Sequence, residues 1–221
     1  DEKANLLDFW IEKTIIHSNK RFTYASAQDV IDKKKGLFSK HLLLLNSFAK
    51  KLRLEREKFG ALTFENSEVK FILDKNDIPV DVYSKPILDT NHLIEEFMLL
   101  ANKSVASFVG RPKNKKPPRT FVYRVHDEPD AERISALSVL VKGFGYCFDS
   151  SSKKKLIKSL GDLQKNIKGK KQEGLLEKLI VRSMAKAVYS TKNIGHYGLG
   201  FDFYSHFTSP IRRYPDLIVH R

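Results

Sequence analysis

At 221 residues the chain is long enough for one large domain or two small ones, and 41% hydrophobic residues with 15 phenylalanines exclude a disordered polypeptide. Lys and Arg number 40 against 26 Asp and Glu, a formal net charge of +14. That excess implies a polyanionic partner, and nucleic acid comes before a membrane surface because no long apolar run is present.

In chain order, FWIEKTIIHS (9–18) alternates and is rich in aromatic and β-branched residues, which predicts a strand. TYASAQDVIDKKKG (23–36) predicts a helix opening at Tyr24 to Ser26 and stopping at Gly36. A long basic helix follows over 40–58, with Leu42, Leu45, Phe48, Ala49 and Leu52 on one face and Gly60 closing it. The runs ALTF (61–64), VKFILD (69–74) and IPVDVYS (78–84), separated by Asn, Ser, Asp and Lys turns, predict a small antiparallel meander. A helix from Asn91 to Phe108 is expected to bury the stripe Ile94, Phe97, Met98, Ala101, Val105 and Phe108. GRPKNKKPPR (110–119) reads as a basic, Pro-rich connector.

Beyond it, a helix is predicted from near Pro129 to Lys142. The single cysteine, Cys147, excludes an internal disulfide framework and a cysteine-built zinc site. Its setting, GFGYCF, predicts a packed core thiol in a reducing, cytoplasmic compartment. Between Lys153 and Lys171 stand eight lysines against one acid, Asp162, which reads as a solvated helix face. EGLLEKLIVRSMAKAVYS (173–190) predicts a helix with Leu176, Leu179, Ile180, Met184 and Ala187 turned into the core. The fold class is therefore α+β, mostly helical with a small antiparallel β-meander.

The stretch HFTSPIRRYPD (206–216) carries the chemistry. Ser209 and Pro210 suit the cap and first position of a helix, and Pro215 is expected to kink or end that helix one turn on. Arg212 and Arg213 in a first turn would oppose the helix dipole unless an anion is supplied, and a phosphate fits; the alternative is that they face solvent or pair with Asp216.

Four blocks then match together: RFTY (21–24), LIEEFMLLAN (93–102), YRVHDEP (123–129) and HYGLGFDFYSHFTSPIRRYPDLIVHR (196–221). In order and spacing they resemble the RNB catalytic domain of ribonuclease II and ribonuclease R, over essentially the whole chain but only the C-terminal half to two-thirds of the family's domain. The resemblance implies a fragment of a processive, hydrolytic exoribonuclease that degrades single-stranded RNA from its 3′ end to 5′-nucleoside monophosphates, with Mg²⁺ in the full-length enzyme. It also implies cold-shock domains ahead of the RNB domain and an OB-fold domain after it, none of them in this sequence. The family's metal-binding aspartate cluster lies upstream of the matching segment, and no such cluster occurs here, so the chain alone is expected to be inactive and to bind no metal. Single-stranded RNA is the expected partner, with no membrane and a monomeric chain. The alternatives are a catalytically inactive RNA-binding module of the same fold and a generic basic interaction domain.

Residue by residue, the resemblance makes Arg212 the catalytic arginine on the scissile phosphate, where a guanidinium fork can offset developing charge. Arg213 holds backbone phosphate, and Thr208 and Ser209 complete the RNA-binding residues of this stretch. Tyr24 and Glu95 fall on ribose-recognising positions, where the 2′-OH both donates and accepts a hydrogen bond. At about 100° per residue, Glu95 shares an edge of the apolar stripe with Asn102, whereas Glu96 and Lys103 lie opposite and are expected in solvent. Phe64 falls on the aromatic that stacks against bases, and it is expected to share a passage with Arg212. His126, His196 and His206 read as structural or RNA-proximal, not as zinc ligands.

Overall fold

A computed structural model describes residues 1–62, 68–111, 119–209 and 212–221. It divides into two units, one made of Asp1–Leu54 with Glu65–Phe97, the other of Glu55–Phe64 with Met98–Arg221.

In the first unit the expected strand over 9–18 is not formed. Trp10 and Ile16 stand 72% and 87% exposed, and among the described residues no strand pairs with this segment. Alternation alone does not make a strand, because its backbone groups need a neighbouring ladder. Helix α1 (Tyr24–Lys33) does form where predicted. Its cap is Thr23, whose hydroxyl accepts from Ser26 N at 3.1 Å while Ser26 Oγ accepts from Thr23 N at 2.9 Å. The helix ends in a left-handed Lys34, ahead of the predicted Gly36. Helix α2 (Ser39–Lys58) buries Ala49 as expected, but the other buried positions are polar, Asn46 and Arg56, while Leu45 is exposed. Strands β1 (Glu68–Leu73) and β2 (Pro79–Lys85) make an antiparallel hairpin with Phe71 opposite Val82. Its turn is held by Asp74, whose Oδ1 accepts from Asn76 N and Ile78 N at 2.8 and 3.0 Å. The third run of the meander is not a strand at Ala61 and Leu62; Thr63 and Phe64 lie outside the described residues.

Helix α3 (Asp89–Gly110) is two residues longer at each end than predicted. Its first turn is anchored to α1: Thr90 Oγ1 donates to the Tyr24 carbonyl, and Thr90 N to Gln28 Oε1, each at 3.1 Å. Lys50 Nζ lies 2.6 Å from Asp89 and holds its carboxyl below the usual range. The buried face of α3 is Leu93, Glu96, Leu99, Asn102 and Ala106, whereas Ile94 and Phe108 of the predicted stripe are exposed. Two polar residues on the inner face mislead a purely hydrophobic wheel, and the true face lies about one residue away from the predicted one.

The second unit contains helices α4 (Ala131–Gly143), α5 (Lys153–Ile167), α6 (Glu173–Ser183) and α7 (Tyr214–His220), and strands β3 (Tyr123–Val125) and β4 (Val188–Ser190), paired antiparallel. Asp130 caps α4 by accepting from Arg133 N at 3.0 Å, and Ser152 caps α5 by accepting from Lys155 N at 3.3 Å. Their core joins Ile134, Leu137 and Val141 of α4 to Leu160, Leu163 and Ile167 of α5 and Leu176 and Ile180 of α6. The opposite face of α5 is basic, and all eight lysines of 153–171 are exposed. Helix α6 stops at Ser183 instead of running to 190, because Met184 turns extended and Val188–Ser190 is taken by the sheet. Cys147 is exposed, not packed: Tyr146 and Phe148 turn to the core, and alternation along the extended chain sends the thiol outward. Of the connector 110–119, residues 112–118 lie outside the described residues.

A second cluster joins Ala106, Phe121, Tyr123 and Val125 with Phe203 packed on it. A Cβ on Gly110 would meet the Phe203 ring at 2.3 Å and Tyr123 Oη at 2.8 Å, whereas one on Gly161, inside α5, meets nothing within 4 Å. Gly110→Ala is expected to cost about 1–3 kcal/mol through overpacking. Gly161→Ala is expected to stabilise by about 0.5–1 kcal/mol through backbone entropy. Urea midpoints moving in opposite directions for the two variants check both.

Candidate functional site

The site residues in the second unit are positioned from β3 outward. Tyr123 and Val125 are buried in the core, so pleating turns Arg124 to the other face of the strand. There its guanidinium lies 4.6 Å from the ring centroid of Tyr189, its cross-strand partner on β4. Arg124 N donates to Tyr204 O at 2.9 Å and Ser205 Oγ to Val122 O at 2.7 Å, which ties the segment 204–205 alongside β3. From α3, the buried Asn102 holds the next residues: its Oδ1 accepts from Phe207 N at 3.3 Å and its Nδ2 donates to Thr208 Oγ1 at 3.2 Å.

The helix after this segment begins later than predicted. Residue 213 precedes its first residue, Tyr214, so Ser209 and Pro210 do not start it, and Pro210 and Ile211 lie outside the described residues. Pro215 falls in the first turn, where its missing N–H has no intrahelical acceptor to lose, so it neither kinks nor ends α7. Asp216 is 1% exposed. Its Oδ2 accepts from Arg213 N at 2.8 Å and its Oδ1 from Ser209 N at 3.4 Å. The carboxylate therefore clamps backbone at both ends of the SPIRR stretch rather than pairing with the arginine side chains. Arg212 is exposed, and Nη1 of Arg213 is buried with no hydrogen-bond partner among the described residues.

Behind the arginines runs a line of rings. His126 Nδ1 accepts from Gly198 N at 2.8 Å, which assigns the proton to Nε2, and that atom donates to Ala185 O at 2.8 Å. The ring centroids of His126 and His196 are 5.0 Å apart, those of His196 and Tyr204 5.3 Å, and those of Tyr204 and His206 6.1 Å in a stacked pair. Burial, reinforced by His126, pushes His196 down to about 4. Burial, then Arg213 and Arg124, pushes His206 to about 4 as well. Burial raises Tyr197 to about 12. A separate cavity of about 540 Å³ is lined by His126, His196, Tyr197, Phe201 and Phe203 among others, and Arg212 is not among its lining residues.

In the first unit, Tyr24 opens α1 and is half-exposed, and Glu95 is exposed on α3 with Oε2 3.3 Å from His92 Nδ1. The wheel's contrast with Glu96 is reversed: Glu96 is 3% exposed, and Glu95 is the solvent-facing acid. Phe64 lies outside the described residues, so the expected passage shared with Arg212 is not described. Among the described residues no three His, Cys, Asp or Glu side chains converge as metal ligands, so the groups present do not fit a metal site. Arg124 was not singled out in the sequence, and the backbone-holding roles of Asn102 and Asp216 were not foreseen there. The alternation in YRV could have set Arg124 apart from Tyr123 and Val125; the roles of the other two depend on contacts distant in sequence.

Comparison with known proteins places these motifs. Residues 1–221 match the family described as RNB domain. Ribonuclease R of Thermotoga maritima is 38% identical over 233 residues, covering 100% of this chain and 31% of that protein. Ribonuclease R 1 of Lactococcus lactis is 32% identical over 228 residues, covering 99% of this chain and 27% of that protein. The chain thus spans under a third of the length of these relatives. In fold it is similar to Mycoplasma genitalium RNase R in complex with ribose methylated single-stranded RNA, with TM-score 0.79, 24% identity, and coverage of 91% of this chain and 31% of that one. It is also similar to yeast Ssd1, a pseudonuclease, with TM-score 0.62, 20% identity, and coverage of 90% and 24%.

The two depressed histidines set a pH dependence of stability. Both stay neutral in the folded chain down to about 4, whereas the unfolded chain takes up protons below about 6.5. Their contribution is complete above the upper value and is lost as pH falls through this window. His196 contributes up to about 1.4 kcal/mol per pH unit; His206, half-exposed and screened by water, contributes less. Urea midpoints are expected to fall from pH 7 to pH 4.5, and to fall less in His196→Gln.

Proposed function

Because the chain belongs to the RNB domain family, we propose that it is the RNA-gripping part of a processive, hydrolytic 3′–5′ exoribonuclease that degrades single-stranded RNA to 5′-nucleoside monophosphates in the cytoplasm. The observation that carries this reading is the clamped SPIRR stretch. Asp216 holds it through Ser209 N and Arg213 N, Asn102 holds Phe207 N and the Thr208 hydroxyl just ahead of it, Arg212 is exposed, and Nη1 of Arg213 has no acceptor among the described residues. In a chain of charge +14, a phosphodiester is the acceptor that completes such a pair of guanidiniums. Arg212 holds the scissile phosphate and offsets charge developing on it, and Arg213, Thr208 and Ser209 hold the backbone beside it. Tyr24 and Glu95 read the ribose 2′-OH through a phenol and a carboxylate, and Phe64 stacks on bases.

The described side chains do not fit a metal, so they supply binding and charge stabilisation and not activation of water. We therefore propose that the isolated chain holds RNA without cutting it and that hydrolysis with Mg²⁺ belongs to a longer protein. The same feature favours a second reading, a catalytically inactive RNA-binding module of this fold. The two separate in one assay: the full-length gene product with Mg²⁺ and 5′-labelled single-stranded RNA. Stepwise shortening from the 3′ end with release of mononucleotides supports the nuclease; intact RNA bound by the protein supports the module.

In the active full-length protein, Arg212→Ala is expected to lower kcat by about a hundredfold or more, roughly 3 kcal/mol of transition-state stabilisation. Glu95→Gln is expected to narrow the preference for RNA over DNA of the same sequence, read as the ratio of the two dissociation constants.

A further inference from the structure

The cavity of about 540 Å³ in the second unit takes no part in the grip assigned to the arginines, and Arg212 does not line it. Its volume is that of a small-molecule site. Four carbon rings line it: Phe59, just past the end of α2, and Tyr197, Phe201 and Phe203. Three of them already carry a cation of the chain itself. Arg111 lies 4.7 Å from the centroid of Phe203, Lys103 5.1 Å from that of Phe201, and Lys153 5.9 Å from that of Tyr197. The fourth, Phe59, is 70% exposed and has no cation over it among the described residues. Its backbone is packed tightly against Gly200, where an added Cβ would meet the Phe59 carbonyl oxygen at 2.9 Å.

The charges around the cavity are paired with each other. Lys153 Nζ lies 2.5 Å from Glu128, and Arg111 Nη2 lies 3.1 Å from Asp202. A phosphate entering here would meet three lining carboxylates, Asp127, Glu128 and Asp202, whereas a cation would meet rings that already hold Arg111, Lys103 and Lys153. Both charged guests are opposed by like charge. The rings therefore suit a guest that is flat and uncharged. Its edge is specified as well, because Tyr197 Oη and His196 Nδ1 are out of water with no partner among the described residues, and buried polar atoms are normally hydrogen-bonded. Burial keeps the phenol neutral up to about 12 and the imidazole neutral down to about 4, so both are uncharged hydrogen-bonding groups at neutral pH.

We propose that this cavity binds a free nucleobase or nucleoside, a neutral planar heterocycle with hydrogen-bond donors and acceptors on its edge. The base stacks on Phe59, and its edge supplies the partner that Tyr197 Oη lacks. The flanking phosphates of a strand would face the lining carboxylates, so the guest is a free molecule and not a base of bound RNA. The inference stands apart from the reading of Arg212.

The test uses the 221-residue chain and adenosine, with contact read by saturation-transfer NMR and affinity by a chemical-shift titration. Adenosine is expected to bind saturably, 5′-AMP about threefold or more weakly, and the cation agmatine more weakly still. Phe59→Ala is expected to weaken adenosine binding about tenfold, one stacking contact, and Phe59→Trp to restore it. Because the ring is exposed, urea midpoints of both variants should match that of the unsubstituted chain. Tyr197→Phe separates binding from a structural role: it removes a hydroxyl with no partner, so the urea midpoint should hold or rise while adenosine binding falls about tenfold. If adenosine does not saturate, or if Phe59→Ala and Tyr197→Phe both bind it as the unsubstituted chain does, the site is overturned. If 5′-AMP or agmatine binds more tightly than adenosine, the uncharged class of ligand is overturned. If single-stranded oligo(A) displaces adenosine, the base belongs to a strand and the free ligand is overturned; adenosine that stays bound beside oligo(A) supports it.

Discussion

The geometry of the arginine-bearing stretch depends on one buried carboxylate. Asp216 sits at 1% exposure and accepts two backbone N–H groups, from Ser209 and from Arg213. An ionised carboxylate out of water is tolerated only when its lone pairs are used, and here they are used on main chain. That choice leaves the guanidiniums unspent. Had the carboxylate paired with Arg212 or Arg213, the chain would have satisfied a charge locally and lost the capacity to bind one from outside. Asn102 does the corresponding work one step earlier, by gripping Phe207 N and the Thr208 hydroxyl from α3. Phe207 and Thr208 are thereby held without a regular element of their own, the kind of rigid presentation that the proposed phosphate grip would need.

The cluster around His206 shows how positive charge is concentrated without one charge too many. Burial, and after it the charges of Arg213 and Arg124, keeps the His206 imidazole neutral down to about 4. The Tyr204 ring stacked on it and the buried His196 beyond extend an uncharged aromatic backing. His126 is committed at both nitrogens, one to Gly198 N and the other to Ala185 O, which fixes it as a structural histidine in the same line.

Much of this was legible in the sequence where the signal was local. The start of α1, the limits of α4 and the lysine face of α5 all follow from neighbours within a turn or two. What misled were positions whose meaning comes from distant partners. Glu96 and Asn102 are polar yet buried on α3, so the apolar wheel selected the wrong face. Ser209 and Pro210 have the chemistry of a helix start, but the capping interaction comes from Asp216 onto Arg213 N, and the helix opens later. Residues 9–18 have the alternation of a strand and lack a described partner, and a strand exists only as half of a ladder. Cys147 lies in an apolar run, yet alternation between Tyr146 and Phe148 turns it outward.

The same logic explains why the charges at the site belong to arginine. A lysine partly buried next to two other cations would shed its proton and cease to bind phosphate. A guanidinium keeps its charge, can sit over an aromatic ring as Arg124 does over Tyr189, and still offers a fork of donors at its edge. In the proposed function such a group would read the phosphodiester and be indifferent to the base attached to it, so an arginine-built grip would admit any sequence. The lysines, by contrast, stand exposed on α5, where hydration keeps them charged and screening makes each one weak. Charge held partly out of water is therefore carried by Arg124 and Arg213, whereas the exposed lysine face would only raise the general affinity for a polyanion.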